Sequence, residues 1–291
     1  MDLKEIQRQL DMMMHEQNNR PIPEFEGYSP FEMHHLMNFT YGPNSPVQIK
    51  RLPEQDYINI PMFNLIKYLL DLIARNGEIK LTNKGHLPTR IVAELYSLGF
   101  FREEHIESGM VKLYKETDTL SVQLTRILTE MAGLAKKRHG KLSLTKTGEN
   151  TLQDHVELFR LILETFGSKF NWAYFDGYGN NNIGQLGYGF SLILLSRYGR
   201  EKRPDTFYAQ KYFKAYPDLL KSIVPAFGTV ERYAFRCYSL RTFERFLVCL
   251  GLISIEKSGP TWDAEIRITK TELFDKLIHC KPHLKYNLLD R

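Results

Sequence analysis

The chain has 291 residues, a length that suits two domains of ordinary size. Its hydrophobic content of 43% supports buried cores and excludes a disordered chain, and its charged content of 25% is average. The net charge of +5 permits a polyanionic partner without requiring one.

Residues 2–17 read as an amphipathic helix. Leu3, Ile6, Leu10, Met13 and Met14 recur at helical spacing, with Lys4, Gln7, Arg8 and Asp11 outside the stripe. This arm is expected to pack on its own domain, with a second subunit as the alternative. A second helix begins at Ser29-Pro30-Phe31-Glu32, where Ser29 suits the N-cap, Pro30 the first helical position and Glu32 the returning acid of a capping box. From Pro61, the residues Met62, Leu65, Ile66, Leu69, Leu72 and Ile73 line one helix, and Gly77 is placed to end it. Ile79-Lys80-Leu81 is a short strand, and Pro88 starts a helix through Leu95 and Tyr96. An irregular charged insert runs from Phe101 to Thr117, and a third helix runs from about Thr119 to Ala132.

The stretch from Ala132 to Gly148 carries the strongest pattern. An apolar helix ends at Gly133-Leu134; a strand, a basic turn and a returning strand follow; Leu144-Thr145-x-x-Gly148 opens the next helix. That order is expected to form the wing of a winged helix-turn-helix unit. The wing holds Lys136, Lys137, Arg138, Lys141 and Lys146 with no Asp or Glu between Gly133 and Gly148. Such a wing suits a phosphate backbone, and the alternative is a solvated hairpin whose lysines protect an edge. Gln123, Arg126 and Glu130 are expected on the exposed side of the third helix, with Arg126 available to a base edge or a phosphate. A helix from Gln153 to Thr165 leads onward.

The C-terminal part repeats the ending. Ser239 is expected to cap a helix through Leu250, Gly251-Leu252 closes it, and Ile253-Ser254-Ile255 and Glu265-Ile266-Arg267-Ile268 alternate as hairpin strands around Ser258-Gly259-Pro260. Arg241 and Arg245 are expected to be exposed on that helix. Three acids, Glu256, Asp263 and Glu265, offset the cations of this second wing, which favours a packing or protein-interaction module over a DNA contact. Thr82 and Gly85 in Leu81-Thr82-Asn83-Lys84-Gly85 echo Thr145 and Gly148, but the echo leads into a helix from a different place in the order.

The remaining clusters imply little chemistry. The loop Asp176–Gly189 has one carboxylate and no Gly-Lys-Ser/Thr, so it is expected to be a long surface loop rather than a phosphate or calcium site. His279, Cys280 and His283 lack a second cluster to complete a tetrahedral set. The pairs at His34-His35 and Glu103-Glu104-His105 read as surface side chains. No metal, cofactor or catalytic residue is assigned. Cys237, Cys249 and Cys280 form no CxxC pair, which suits a reducing cytosol. Asp2 and Glu5 argue against a signal peptide, and the apolar runs are too short or too interrupted to span a bilayer. A soluble, cytoplasmic protein with no membrane partner is expected.

Phe25–His34, Ser45-Pro46-Val47, Leu81–Pro88 and Phe246–Ile253 together resemble a group of uncharacterised bacterial proteins, some related to a region found beside plasmid ORF-3-like domains. That resemblance implies no activity. Residues 119–152 separately resemble MarR-like and PadR-like regulators, which implies a winged-helix fold.

The expectation is a mainly α fold with short β-hairpins: two winged-helix-like units plus helical extensions. It divides into a helical arm and extension over 1–56, a first winged-helix-like domain over 57–152, and a helical domain over 153–291 ending in the second unit. The leading function is a nucleic-acid-binding, transcription-regulating protein that contacts duplex DNA through Arg126, Lys136, Lys137, Arg138, Lys141 and Lys146. A non-catalytic protein-interaction scaffold is the alternative, with a protein partner or a homodimer formed through the N-terminal helix or the C-terminal unit. An enzyme of unknown type is third.

Overall fold

A computed structural model describes residues 2–174, 176–226, 228–259 and 264–283. The chain is mainly α with short antiparallel strand pairs. The elements run α1 (Leu3–Asn19), α2 (Pro30–Asn38), β1 (Val47–Ile49), α3 (Pro61–Asn76), β2 (Ile79–Lys80), α4 (Thr89–Ser97), α5 (Glu104–Glu107), α6 (Leu120–Met131), β3 (Ala135–Arg138), β4 (Lys141–Leu144), α7 (Lys146–Thr151) and α8 (His155–Glu164). They continue through α9 (Tyr188–Tyr198), β5 (Arg203–Pro204), α10 (Asp205–Ala215), α11 (Asp218–Lys221), α12 (Val230–Tyr238), β6 (Ile253–Ser258), β7 (Glu265–Lys270), α13 (Glu272–Leu277) and β8 (Ile278–Cys280). Among the described residues, no helix is long and apolar enough to cross a membrane.

The chain gathers into two compact units that cut across the linear partition 1–56, 57–152 and 153–291. One is central, residues 51–171 with 249–252; the other is composite, built from 1–50, 172–248 and 253–291. In the composite unit β1 pairs with β8, Val47 opposite Cys280 and Ile49 opposite Ile278. That pairing ties the N-terminal extension to the far end of the chain.

The central unit is built on a three-stranded sheet in the order β2-β4-β3. Its core gathers Leu65, Leu69 and Ile73 of α3, Val92 and Leu95 of α4, Val122 of α6, and Ile79, Ala135 and Leu142 of the sheet. Leu142 is fully buried between Ile79 and Lys137, its two cross-strand neighbours. Leu134 is buried too, while Leu144 is only partly so. The β3–β4 hairpin turns through His139 and Gly140, both at positive φ (49° and 71°). A two-residue turn with both centres left-handed matches the twist of the strands it joins.

The Leu-Thr-x-x-Gly motif has a local cause. The Thr145 hydroxyl accepts from the Gly148 N–H at 3.0 Å and caps α7. It also donates to the Gly133 carbonyl, which closes the hairpin on the helix end before it. Gly148 packs so closely on the Leu134 carbonyl oxygen that a Cβ there would collide with it. The echo at Thr82 and Gly85 is instead a tight turn, the Thr82 N–H donating to the His86 carbonyl at 2.9 Å.

The composite unit repeats the order. Helix α9, strand β5, helix α10, helix α12, then the hairpin β6–β7 match α3, β2, α4, α6 and β3–β4, and the sheet order β5-β7-β6 matches β2-β4-β3. Thr271 caps α13 as Thr145 caps α7. Gly133 and Gly251 both have positive φ, 70° and 68°. The expected cap at Ser239 is displaced: Thr229 caps α12, and Ser239 begins a π-helical stretch through Leu247. Asp263 and Pro260 of the second wing lie outside the described residues. The core here is aromatic, with Tyr212 stacked on Tyr238 at 4.5 Å and the Ser191 and Tyr238 hydroxyls bonded at 2.8 Å. Capping at Ser29 follows the expected box, its N–H donating to Glu32 at 2.8 Å. Glu26, just before it, joins Lys211 at 2.7 Å and Tyr198 at 2.6 Å.

Removing the Leu142 side chain deletes the contact point of all three strands. We expect Leu142→Ala to cost about 2–5 kcal/mol, measured by chemical denaturation. The two glycines should separate. Gly133 has open space for a Cβ, so Gly133→Ala should cost roughly the 1–2 kcal/mol of a left-handed backbone. At Gly251 a Cβ would also strike the Asn59 carbonyl oxygen, so Gly251→Ala should cost more.

Candidate nucleic-acid interface

The side chains proposed for DNA contact do not share one surface. Helix α6, expected from the sequence to be the exposed reading helix, is enclosed. Ser121, Val122, Gln123, Leu124, Thr125, Leu128 and Thr129 are all buried, and only Met131 at its end is exposed. Gln123 is therefore a packed side chain, not a solvent-facing one. Arg126 is also withdrawn. Its guanidinium donates to Glu116 at 2.7 Å and to Glu130, and its side chain is only 13% exposed. Glu116 is fully buried, and its second oxygen accepts the Leu87 N–H at 2.7 Å. Burial opposes the charge on Arg126, but Glu116 and Glu130 more than offset it and hold its pKa above the ordinary value.

The charged insert supplies these acids. Glu103, expected at the surface, accepts from the Leu120 N–H at 2.9 Å, the Ser121 N–H at 3.1 Å and the Ser121 hydroxyl at 2.7 Å. A carboxylate at those otherwise unpaired N–H groups stabilises the helix N-terminus. One insert thus anchors α6 at its start through Glu103 and at its middle through Glu116.

The wing cations divide by strand alternation. Lys80 stands opposite Lys141, and Lys141 stands opposite Arg138, so these three form a row across β2, β4 and β3. Lys136 lies two positions from Arg138 and shares its face. Lys80, Lys136, Arg138 and Lys141 are all exposed. Glu78 is the acid that reaches this row, pairing with Lys141 while both side chains remain about half exposed. Lys137 belongs to the opposite side, opposite the buried Leu142, and its ammonium lies over Gly85. Lys146 is exposed at the first position of α7. Lys80 was missed in the sequence because only strand pairing brings β2 beside the hairpin.

The corresponding row of the composite unit is different. Pro204 stands opposite Arg267, and Arg267 opposite Glu256. Lys202 pairs with Glu256 at 2.7 Å, and Glu265 with Arg267 at 2.9 Å. The same topology therefore carries a balanced row here and a cationic one in the central unit.

Arg241, expected to be exposed, is fully buried. It pairs with Asp176 and donates to the Gly179 carbonyl at 2.8 Å and to the Asn181 carbonyl at 2.7 Å. The 176–184 segment wraps a guanidinium on its inner side, where the Asp176 side chain is 1% exposed, while Gly177, Gly179, Asn180 and Asn182 stay at the surface. Arg245 is half-buried and donates to the Tyr174 carbonyl. A cavity of about 510 Å³ adjoins α10 and α12, with Arg232 and Arg236 set among Asp205, Glu244 and Glu265. Burial holds the Asp205 carboxyl above its usual range, against hydrogen bonds from Ser239 and the Thr206 amide. This lining carries both signs of charge and favours no polyanion.

In the His279–His283 segment, Cys280 pairs with Val47 in the sheet, and His283 contacts Glu32 at 2.6 Å. Among the described residues, no three His, Cys, Asp or Glu side chains gather to hold a metal.

Breaking the Arg126 pair leaves a buried carboxylate uncompensated. Arg126→Ala should destabilise the protein by about 3–5 kcal/mol in thermal or chemical unfolding, and replacing Glu116 as well, as Glu116→Gln with Arg126→Met, should recover part of that loss.

Comparison with known proteins agrees with a distinct central unit. Residues 59–157 match the family model of the Y4jL N-terminal domain, an uncharacterised family. No curated protein and no solved structure matches the chain. The matched segment runs from just before α3 into α8 and so contains the cationic sheet and the enclosed helix α6.

Proposed function

We propose that the protein is a non-catalytic nucleic-acid-binding module that meets duplex DNA through the outer face of β2-β4-β3. The order helix, strand, helix, helix, strand, strand, with the first strand pairing the last, supports a winged-helix-like reading of the central unit. Within that reading the wing sheet touches phosphate, and α6 does not read bases. A regulatory role in transcription rests on this binding.

The observation that carries the proposal is the row Lys80–Lys141–Arg138. Like charges directly opposite one another destabilise a strand pair. Among the described residues a single acid, Glu78, pairs with the row, and the equivalent row of the composite unit is neutral. A polyanion would relieve this repulsion and release counterions as it bound. One observation favours the scaffold reading: α6 and Arg241 both turn inward, so the usual reading surfaces are spent on packing.

Salt dependence separates the two. The protein should bind duplex DNA at low salt. Lys80→Ala, Lys136→Ala, Arg138→Ala and Lys141→Ala combined should weaken binding, each lost phosphate contact making the negative slope of log K against log salt shallower by about 0.9. Lys137→Ala, on the other side, should change the slope less. An unchanged slope in the folded quadruple variant would favour the scaffold.

A further inference from the structure

The cationic face of the central sheet carries its own anion. Glu78, Ile79 and Lys80 are exposed, buried and exposed in turn, so Glu78 shares the outer face with Lys80. Continuing the β2–β4 register back by one residue sets Glu78 beside Ser143, diagonal to Lys141. The Glu78 carboxylate spans that diagonal and pairs with the Lys141 ammonium, both side chains being about half exposed. Lys141 is the middle member of the row, with Lys80 on one side and Arg138 on the other. The carboxylate therefore sits on the cation that both neighbours repel.

We infer that Glu78 is a resident phosphate mimic that lowers the affinity of this face for duplex DNA. The inference rests on the DNA-binding reading above and names how that same surface is tuned. In the free protein the carboxylate offsets the repulsion within the row. A phosphate that approaches Lys141 must displace it. The displaced carboxylate stays on the same face, where it repels the phosphates beside it and takes up a cation from solution. That uptake offsets part of the counterion release that drives binding. The hold on Lys141 is weak, because a half-exposed ion pair contributes little against solvent screening. Displacement is therefore easy, and the acid tunes the surface without closing it. The composite sheet supplies an internal control. Its row contains Glu256, which pairs with Lys202 at 2.7 Å and stands opposite Arg267, so an equal charge can be removed there without touching the cationic face.

Fluorescence anisotropy of the full chain on one labelled duplex, over a salt series, tests the assignment. Glu78→Gln should bind about two- to fivefold tighter than the wild type at low salt, the range of an exposed ion pair. It should also make the negative slope of log K against log salt steeper by up to about 0.9, the worth of one phosphate contact. Its Tm should change little, because the side chain is exposed. The gain should shrink when Lys141→Ala is combined with it, since the two side chains then no longer compete with phosphate as a pair. Glu256→Gln should leave affinity and slope near the wild type. The inference is overturned, with DNA binding intact, if Glu78→Gln binds no tighter than the wild type or than Glu256→Gln. It is equally overturned if the gain is undiminished in the Lys141→Ala background. If neither the wild type nor Glu78→Gln binds duplex at low salt, the DNA-binding reading falls and this inference falls with it.

Discussion

The buried ion pair between Arg126 and Glu116 is the constraint on which the central unit turns. Glu116 lies in the insert before α6, is closed from solvent, and satisfies both Arg126 and the Leu87 N–H ahead of α4. A buried carboxylate so partnered is tolerated; without Arg126 its desolvation is left largely uncompensated. The pair therefore joins three segments that strand pairing does not reach. It also has a functional cost: the arginine best placed to leave α6 toward a ligand is consumed inside the fold. Arg241 repeats the theme in the composite unit, where Asp176 and backbone carbonyls take up its donors.

With α6 enclosed and Arg241 buried, the sheets are the surfaces to compare. Both sheets have the same strand order, so a difference between them reflects side-chain choice rather than topology. The central sheet sets Lys80, Lys141 and Arg138 in one row, while the composite sheet sets Pro204, Arg267 and Glu256. A fold that needed only a solvated edge is served by the second arrangement. The first accepts repulsion between neighbours, which is reasonable where a polyanion completes the surface.

Local chemistry was legible in the sequence, and long-range chemistry was not. The Ser29 box, the end of α3 at Gly77, the hairpin after Gly133 and the Thr145 cap all depend on contacts within a few residues, and each was readable from residue type and spacing. Arg126 and Gln123 were misplaced because helical periodicity gives a face but not the identity of what covers it. The covering acids Glu103 and Glu116 lie in a stretch with no period at all. Arg241 failed for the same reason at greater distance, its partner Asp176 being 65 positions away. Of the wing cations, Lys136, Arg138 and Lys141 share the outer face. Lys137 falls on the other side by strand alternation, and Lys80 joins them only through the β2–β4 register. The two compact units also escaped a linear partition, because the β1–β8 pair joins distant ends of the chain.

The most direct measurement is covalent footprinting of lysine and arginine side chains, with and without duplex DNA at low salt, alongside amide exchange over α6. The account predicts protection at Lys80, Lys136, Arg138 and Lys141 on binding, with the amides of α6 and the reactivity of Arg126 unchanged. Protection concentrated on α6, or binding that leaves those four side chains as reactive as in the free protein, would contradict it.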